Sequence, residues 1–399
     1  MTRVWLATGL TILLVPRLAD ACGGCFAPSD TVTSVDAHRM VISLSPNSTT
    51  LWDQIRYSGR PADFVWVLPV PTSDARVELA DDAFFLQLER LTAPTVRPAS
   101  PPPQLFCPNS GGGFGCGGGG DDDYAPDYAS DAGVTVFNES VVGPYQTVTI
   151  GSEDAGALQS WLDSNGYAVP AETRPTLMHY IDQKSVFVVL RLRPGAGVQA
   201  MQPVRVTYPG YMATFPLKMV TVGAGAQLEL TLWVIAEQRY EAGNYGTLTI
   251  DASKLEFDWA ASRSNYDSVF RATIEQGGGR AWIAEYAAPA ASSIGLGSGP
   301  DPDVARRGLR VPYLTRLRTR MLPEHLSKDL MLMPSAVTAN VSNSLTAVRE
   351  VNRPKDVSCD DDIGCRLGIG RKAGAAAGPL LLVLAFALVL RRRRGQSKG

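Results

Sequence analysis

Histidine is scarce in this chain of 399 residues: there are three, His38, His179 and His325. Their wide separation carries none of the ligand spacing that a histidine-based zinc centre needs. Lysine is scarce too, with seven among 37 basic residues. Those 37 face 39 acidic residues, and charged residues make up only 19% of the chain. A formal net charge of -2 supplies no field of one sign, so nucleic acid is not expected as a partner. Familiar catalytic motifs are also missing. There is no H-E-x-x-H and no Walker loop. The nearest approach to G-x-S-x-G, Gly295-Leu296-Gly297-Ser298-Gly299, puts its serine in the wrong place. No cofactor is implied. Catalytic groups that converge only in space leave no such trace, so an enzyme is not excluded on this ground.

What the chain does have is apolar material and two special ends. It is 45% hydrophobic, enough core for one large or two ordinary domains. Thr2 and Arg3 precede the apolar run Val4 to Val15, and Ala19-Asp20-Ala21 supplies small residues at Ala19 and Ala21 for signal cleavage. An uncleaved anchor is one alternative, but Pro16 and Arg17 end the run early. Lipidation of Cys22 is the other; Asp20 and the absence of leucine at position 19 speak against it. At the far end Ala373 to Leu390 is uncharged and close to the minimum of about 18 residues that span a bilayer. Arg391, Arg392, Arg393 and Arg394 follow at once. Such a cluster resists translocation and stays cytoplasmic, which places the body outside. Pro379 makes the span weak.

Between the ends, short β-branched and aromatic runs at Met40 to Leu44, Thr50 to Tyr57 and Phe64 to Val70 predict an antiparallel meander. Asp81 to Leu91 has the helical spacing Phe84, Phe85, Leu88, Leu91 with acidic residues at its start. Residues 94–131 are rich in Gly, Pro and Asp, which predicts a disordered insertion. Order resumes with a strand at Gln146 to Ile150 and a helix capped by Ser152 and ended by Asn165-Gly166. A short helix follows at Thr176 to Asp182. Further strands are predicted at Val186 to Leu192, Val204 to Tyr208, Leu217 to Val222, Gln227 to Ala236 and Thr247 to Asp251. Two helical pieces are predicted at Asp267 to Gln276 and Tyr313 to Met321. From Ser335 the chain turns polar and aperiodic, as a stalk would. A Trp-Val pair recurs at Trp66-Val67 and Trp233-Val234, too short to be a repeat.

Six cysteines in an exported chain favour disulfides. Spacing pairs Cys22 with Cys25, Cys107 with Cys116 and Cys359 with Cys365, although six cysteines allow fifteen pairings. Cys22-Gly-Gly-Cys25 has the spacing of a redox motif but no helical pattern after it to activate a thiolate. Asp121, Asp122, Asp123, Asp127 and Asp131 offer carboxylates to calcium, without the Gly and terminal Glu of an EF-hand loop. The plainer reading of this tract is a solvated acidic face.

Several segments resemble a bacterial family catalogued as a domain of unknown function, DUF twenty-three thirty. They are Ala21 to Phe26, Asp63 to Pro71, Leu91 to Pro94, Trp161-Leu162 through Asn165-Gly166-Tyr167, Gln202 to Pro209 and Tyr313 to Leu317. The resemblance implies an exported bacterial protein, often with a C-terminal anchor, and carries over no activity. The tail Cys365, Ala373 to Leu390 and Arg391 to Arg394 resembles a MYXO-CTERM sorting signal, which implies that the span is removable.

The expectation is a β-rich α+β fold with antiparallel sheets and a few short helices. Residues 1–21 are a signal peptide, 22–334 the extracytoplasmic body, 335–372 a stalk, 373–390 a transmembrane or sorting helix, and 391–399 a basic tail. The favoured role is a non-catalytic envelope protein that binds an unknown protein or surface partner, attached through its C-terminal tail. An envelope hydrolase or thiol-redox protein is one alternative. Calcium-dependent adhesion is another. A cleft holding His179 or His325 beside a carboxylate would favour the hydrolase.

Overall fold

Along the strand His38–Leu44, Met40, Ile42 and Leu44 alternate with Arg39, Val41 and Ser43, so one strand serves two surfaces. That alternation organises everything the computed structural model describes, which is residues 25–26, 38–54, 64–100, 133–165, 173–222, 227–290 and 299–354. The result is β-rich with few helices, in agreement with the sequence.

Thirteen strands build two large sheets. In chain order they are β1 (Cys25–Phe26), β2 (His38–Leu44), β3 (Ser48–Gln54), β4 (Val65–Val70), β5 (Arg76–Leu79), β6 (Thr135–Val142) and β7 (Tyr145–Gly151). Then follow β8 (Val186–Leu192), β9 (Val204–Pro209), β10 (Leu228–Ala236), β11 (Gly246–Leu248), β12 (Ala281–Pro289) and β13 (Tyr313–Met321). The five-stranded sheet runs β1-β4-β8-β7-β6 and is antiparallel throughout. The eight-stranded sheet runs β11-β12-β13-β10-β2-β3-β9-β5 and is mixed, since β10 pairs parallel with β2 and β11 with β12.

The two sheets meet face to face. Met40, Ile42, Leu230 and Leu232 from the larger sheet join Trp66, Leu68, Val188 and Leu190 from the smaller in one apolar cluster. Each such side chain contributes about 1.5–3 kcal/mol by leaving water. Helices cover the outer faces. On the smaller sheet, α2 (Ala155–Ser164) and α3 (Arg174–Asp182) lay Leu158, Leu162, Leu177 and Ile181 over Val65, Phe187 and Val189. On the larger sheet, α1 (Asp82–Thr92) presses Phe84, Phe85 and Leu88 onto Val41, Trp52 and Trp233.

Asp81 caps α1 by accepting from the Ala83 amide at 2.8 Å, satisfying one of the helix's orphan donors. Beside it α4 (Tyr266–Gln276) covers Ile283 with Phe270 and Ile274.

Several expectations need correction. Tyr313 to Met321 is a central strand, not a helix. Its apolar residues Leu314, Leu317 and Met321 have helical spacing, but Leu314 packs on the outer face while Leu317 and Met321 pack on the inner one. Leu217 to Val222 is not a strand. It begins with the short helix Leu217–Val220, in which Leu217 and Val220 join one cluster while Met219 joins another. The meander stops after β2 and β3, because β4 joins the other sheet. Ser152 is not the cap of α2; it supports Asp154, which accepts from the Ala157 amide at 2.6 Å.

The chain also stays folded past the boundary drawn at 334. Ser344–Thr346 pairs with Thr95–Arg97, and Ala347 is buried. Asn343 Nδ2 donates to the Leu91 and Ala93 carbonyls at 3.0 Å each. Residues 335–354 are therefore body, not stalk, and the strand Thr95–Arg97 lies within what was drawn as the insertion. Strands β6 and β12 had no counterpart in the sequence reading.

Candidate functional site

Above the outer face of the eight-stranded sheet, between the C-terminal end of α1 and the N-terminal end of α4, lies an open cleft of about 940 Å³. The strands supply its floor. Across neighbouring strands the registers place Gln54, Arg39, Thr231 and Arg318 in one row, and Arg316 stands opposite Trp233 one step further along. Residues of this parity point away from the apolar interface between the sheets. Arg39, Thr231, Arg316 and Arg318 line the cleft together with Glu89 and Glu229.

A β-bulge completes the floor. The pairing of β12 with β13 shifts between Ala284 and Tyr286, so Glu285 is the extra residue. Its side chain is fully buried. It accepts from Arg316 Nε at 2.7 Å and from the Tyr266 hydroxyl at 2.8 Å, with Arg318 Nη1 at 3.5 Å. Arg316 then grips Glu89 with both terminal nitrogens, at 2.9 and 3.0 Å. Its guanidinium also lies over the Trp233 ring, 5.2 Å from the centroid. Arg318 donates to Glu229 at 2.6 and 3.0 Å and stacks over Phe270 at 4.4 Å.

The electrostatics follow from this packing. Burial opposes the charge on Arg318, but Glu285 and Glu229 outweigh it and raise its pKa above the ordinary arginine value. Burial first, and then the Glu285 charge, push the Tyr266 phenol far above its usual range, so it remains a donor. At the rim Asp258 is held below the usual carboxylate range by hydrogen bonds from Asn352 and the Ala261 and Ala260 amides.

One floor cation differs from the others. Arg39 is half-buried, and among the described residues its side chain has no hydrogen bond or ion pair. Its neighbour Gln54 donates to Asp82, while Gln54 Oε1 is buried without a partner.

The histidines do not come together. His38 is buried on Asp53, with its Nδ1 unpartnered. His325 Nδ1 lies 2.9 Å from the Gly279 carbonyl. His179 does stand beside a carboxylate: its Nε2 is 3.6 Å from Asp329 Oδ2 and 2.8 Å from Gln183 Nε2. Asp329 Oδ1 is already taken by the Tyr180 hydroxyl at 2.6 Å and the Lys218 amide at 3.0 Å. Asp329, Tyr180 and Gln183 border a smaller pocket of about 190 Å³ with several apolar lining residues.

Other candidates fall outside the described residues: Ala19, Ala21, Cys22, Cys107, Cys116, Asp121, Asp122, Asp123, Asp127, Asp131, Cys359, Cys365 and Arg391 to Arg394. Of Cys25 only the backbone is placed, paired with Trp66. Among the described residues no helix is long and apolar enough to cross a membrane, and no group of three His, Cys, Asp or Glu side chains gathers to hold a metal.

The cleft residues Arg39, Glu89, Glu229, Tyr266, Arg316 and Arg318, and Glu285 buried beneath them, were not singled out by sequence reasoning. One signal was present: Arg316, Arg318 and Arg320 alternate with Leu317 and Thr319, a period of two that marks a strand with a basic face. Nothing local announced Glu285.

A family described as an uncharacterized protein conserved in bacteria, DUF2330, matches residues 16–333. No curated protein and no solved structure matches the chain.

Proposed function

The chain belongs to the bacterial family DUF2330, and from that premise we propose that it is an exported, envelope-anchored binding protein whose working surface is the charged cleft on the larger sheet. One observation carries the reading. A cleft of about 940 Å³ lies in the size range of small-ligand sites, and its polar groups are held in fixed positions. Glu285 ties Arg316, Arg318 and Tyr266 into one unit, so the floor is set before a ligand arrives. Arginine remains protonated at every physiological pH. A floor built on it suits recognition better than proton transfer.

Export and anchoring rest on the sequence pattern: an apolar run after Arg3, the apolar stretch Ala373 to Leu390, and the four arginines after it. On this proposal the body lies outside the cytoplasm and the tail attaches it to the membrane, or to the cell surface once the tail is processed. Alkaline phosphatase fused after residue 354 is active only outside the cytoplasm. Activity supports export, and an inactive fusion that accumulates in the cytoplasm refutes it. For the cleft, a polar extract of the host envelope is predicted to raise the melting temperature of the protein. Ser268→Trp, at the cleft wall, is predicted to remove that rise. An equal rise in the variant refutes the cleft as the binding surface.

A second reading, an envelope hydrolase, draws on His179 beside Asp329. It is the weaker one, because both contacts of the ring fall on Nε2 and Asp329 already serves Tyr180 and Lys218. Hydrolysis of generic ester substrates that His179→Ala abolishes would favour it.

A further inference from the structure

The three floor arginines are in different states, and the difference points to a ligand. Arg316 and Arg318 each hold two glutamates. Arg39 holds none, although it stands one strand from Thr231 and two strands from Arg318 in the same row. The acids on the facing wall are engaged elsewhere. Glu256 pairs with Arg349 at 2.8 Å, Asp258 accepts from Asn352 at 3.1 Å and the Ala260 amide at 2.9 Å, and Asp267 is 3.7 Å from Arg318.

Charge and hydrogen bonding come apart at this point. Arg316 and Arg318 face four acids, Glu89, Glu229, Glu285 and Asp267, so the excess of negative charge favours the cation Arg39 at this place. That excess fills none of the guanidinium's donors, which present a planar fork to the cleft. A half-buried guanidinium left without acceptors is costly unless water or a ligand supplies them.

We propose that Arg39 is the anchor for a small ligand bearing a carboxylate, whose two oxygens fit the fork side by side, with Thr231 lining the floor beside it. This rests on the cleft being the binding surface and adds the chemical class of what it takes. Arg39 holds the ligand by charge-assisted hydrogen bonds. No covalent step is involved.

The test uses the full chain in detergent and four probes: glutarate, its uncharged isostere glutaramide, inorganic phosphate, and the neutral sugar maltotriose. Binding is read by calorimetry and by the arginine side-chain Nε–H resonances. Glutarate is predicted to shift the Arg39 resonance and to bind at least about tenfold more tightly than glutaramide. Arg39→Gln is predicted to lose at least about that factor, and Arg39→Lys to recover only part of it. Arg310→Gln, exposed and away from the cleft, is predicted to bind as the parent does. Phosphate binding more tightly than glutarate overturns the carboxylate assignment. Equal binding of glutaramide or maltotriose, unaffected by Arg39→Gln, overturns the anchor and leaves the cleft reading standing. No shift of the Arg39 resonance with glutarate at tens of millimolar also overturns the anchor. If the envelope extract fails as well, the cleft reading falls with it.

Discussion

On the inner face of the eight-stranded sheet, Leu230, Leu232 and Val234 meet the apolar side chains of the second sheet. On the outer face of the same strand, Glu229, Thr231 and Trp233 meet arginines and the helix α1. The inner face is held by apolar area removed from water, a non-directional term that tolerates swaps conserving volume. The outer face is held by apolar packing under the helices and, beside it, by a chain of charges, each of which is costly if its partner is taken away. A sheet with two such faces can stabilise a body with one and present a fixed chemical surface with the other.

The largest effect is predicted where the outer network is broken rather than removed. Arg316→Met strands the fully buried Glu285 and the partner Glu89, and is predicted to lower unfolding stability by about 3–5 kcal/mol in urea titrations. Replacing both partners with Glu285→Leu/Arg316→Leu should recover much of that loss. A double variant as unstable as the single one would mean that packing, not charge, holds this face. Leu232→Ala on the inner face is predicted to cost about 3 kcal/mol through its cavity. Next comes Tyr266→Phe, which removes one hydrogen bond to Glu285 at 2.8 Å, at about 1 kcal/mol.

The pH dependence touches both regions. Burial raises the phenol pKa of Tyr266 on the outer face and of Tyr145 in the inner cluster. Their folded pKa values lie above the unfolded one, so the folded chain keeps protons that the unfolded chain releases. This contribution is complete below about pH 10 and is lost as pH rises through the folded values. Absorbance of tyrosinate should show these phenols titrating only as the protein unfolds. Their ionisation near pH 10 in the native state would contradict their burial.

How much of this was legible in the sequence depended on which pattern a segment carried. Val186–Leu192 reads as a strand and is one, because a run of seven residues rich in β-branched and aromatic side chains is too short for a buried helix. Helix α1 was legible from Asp81 and the Phe84, Leu88 spacing. Tyr313–Met321 was misread because residues three and seven apart satisfy a helix, and its arginines look like solvent-facing ones when only the sequence is in view. The cleft was illegible for a related reason. Arg39, Glu89, Glu229, Glu285 and Arg316 come from distant parts of the chain, and the sheet order together with the packing of α1 brings them together. Glu285 depends besides on a bulge, which no local composition encodes.

Arg316 is committed to the fold through Glu89 and Glu285, whereas the Arg39 side chain has no hydrogen bond or ion pair among the described residues. Urea midpoints of Arg39→Gln and Arg316→Met, measured side by side on the same preparation, test this most directly. Arg39→Gln is predicted to stay within about 0.5 kcal/mol of the parent, while Arg316→Met falls by several. Equal losses in the two variants would show that Arg39 is a structural member of the network and not a group reserved for a ligand.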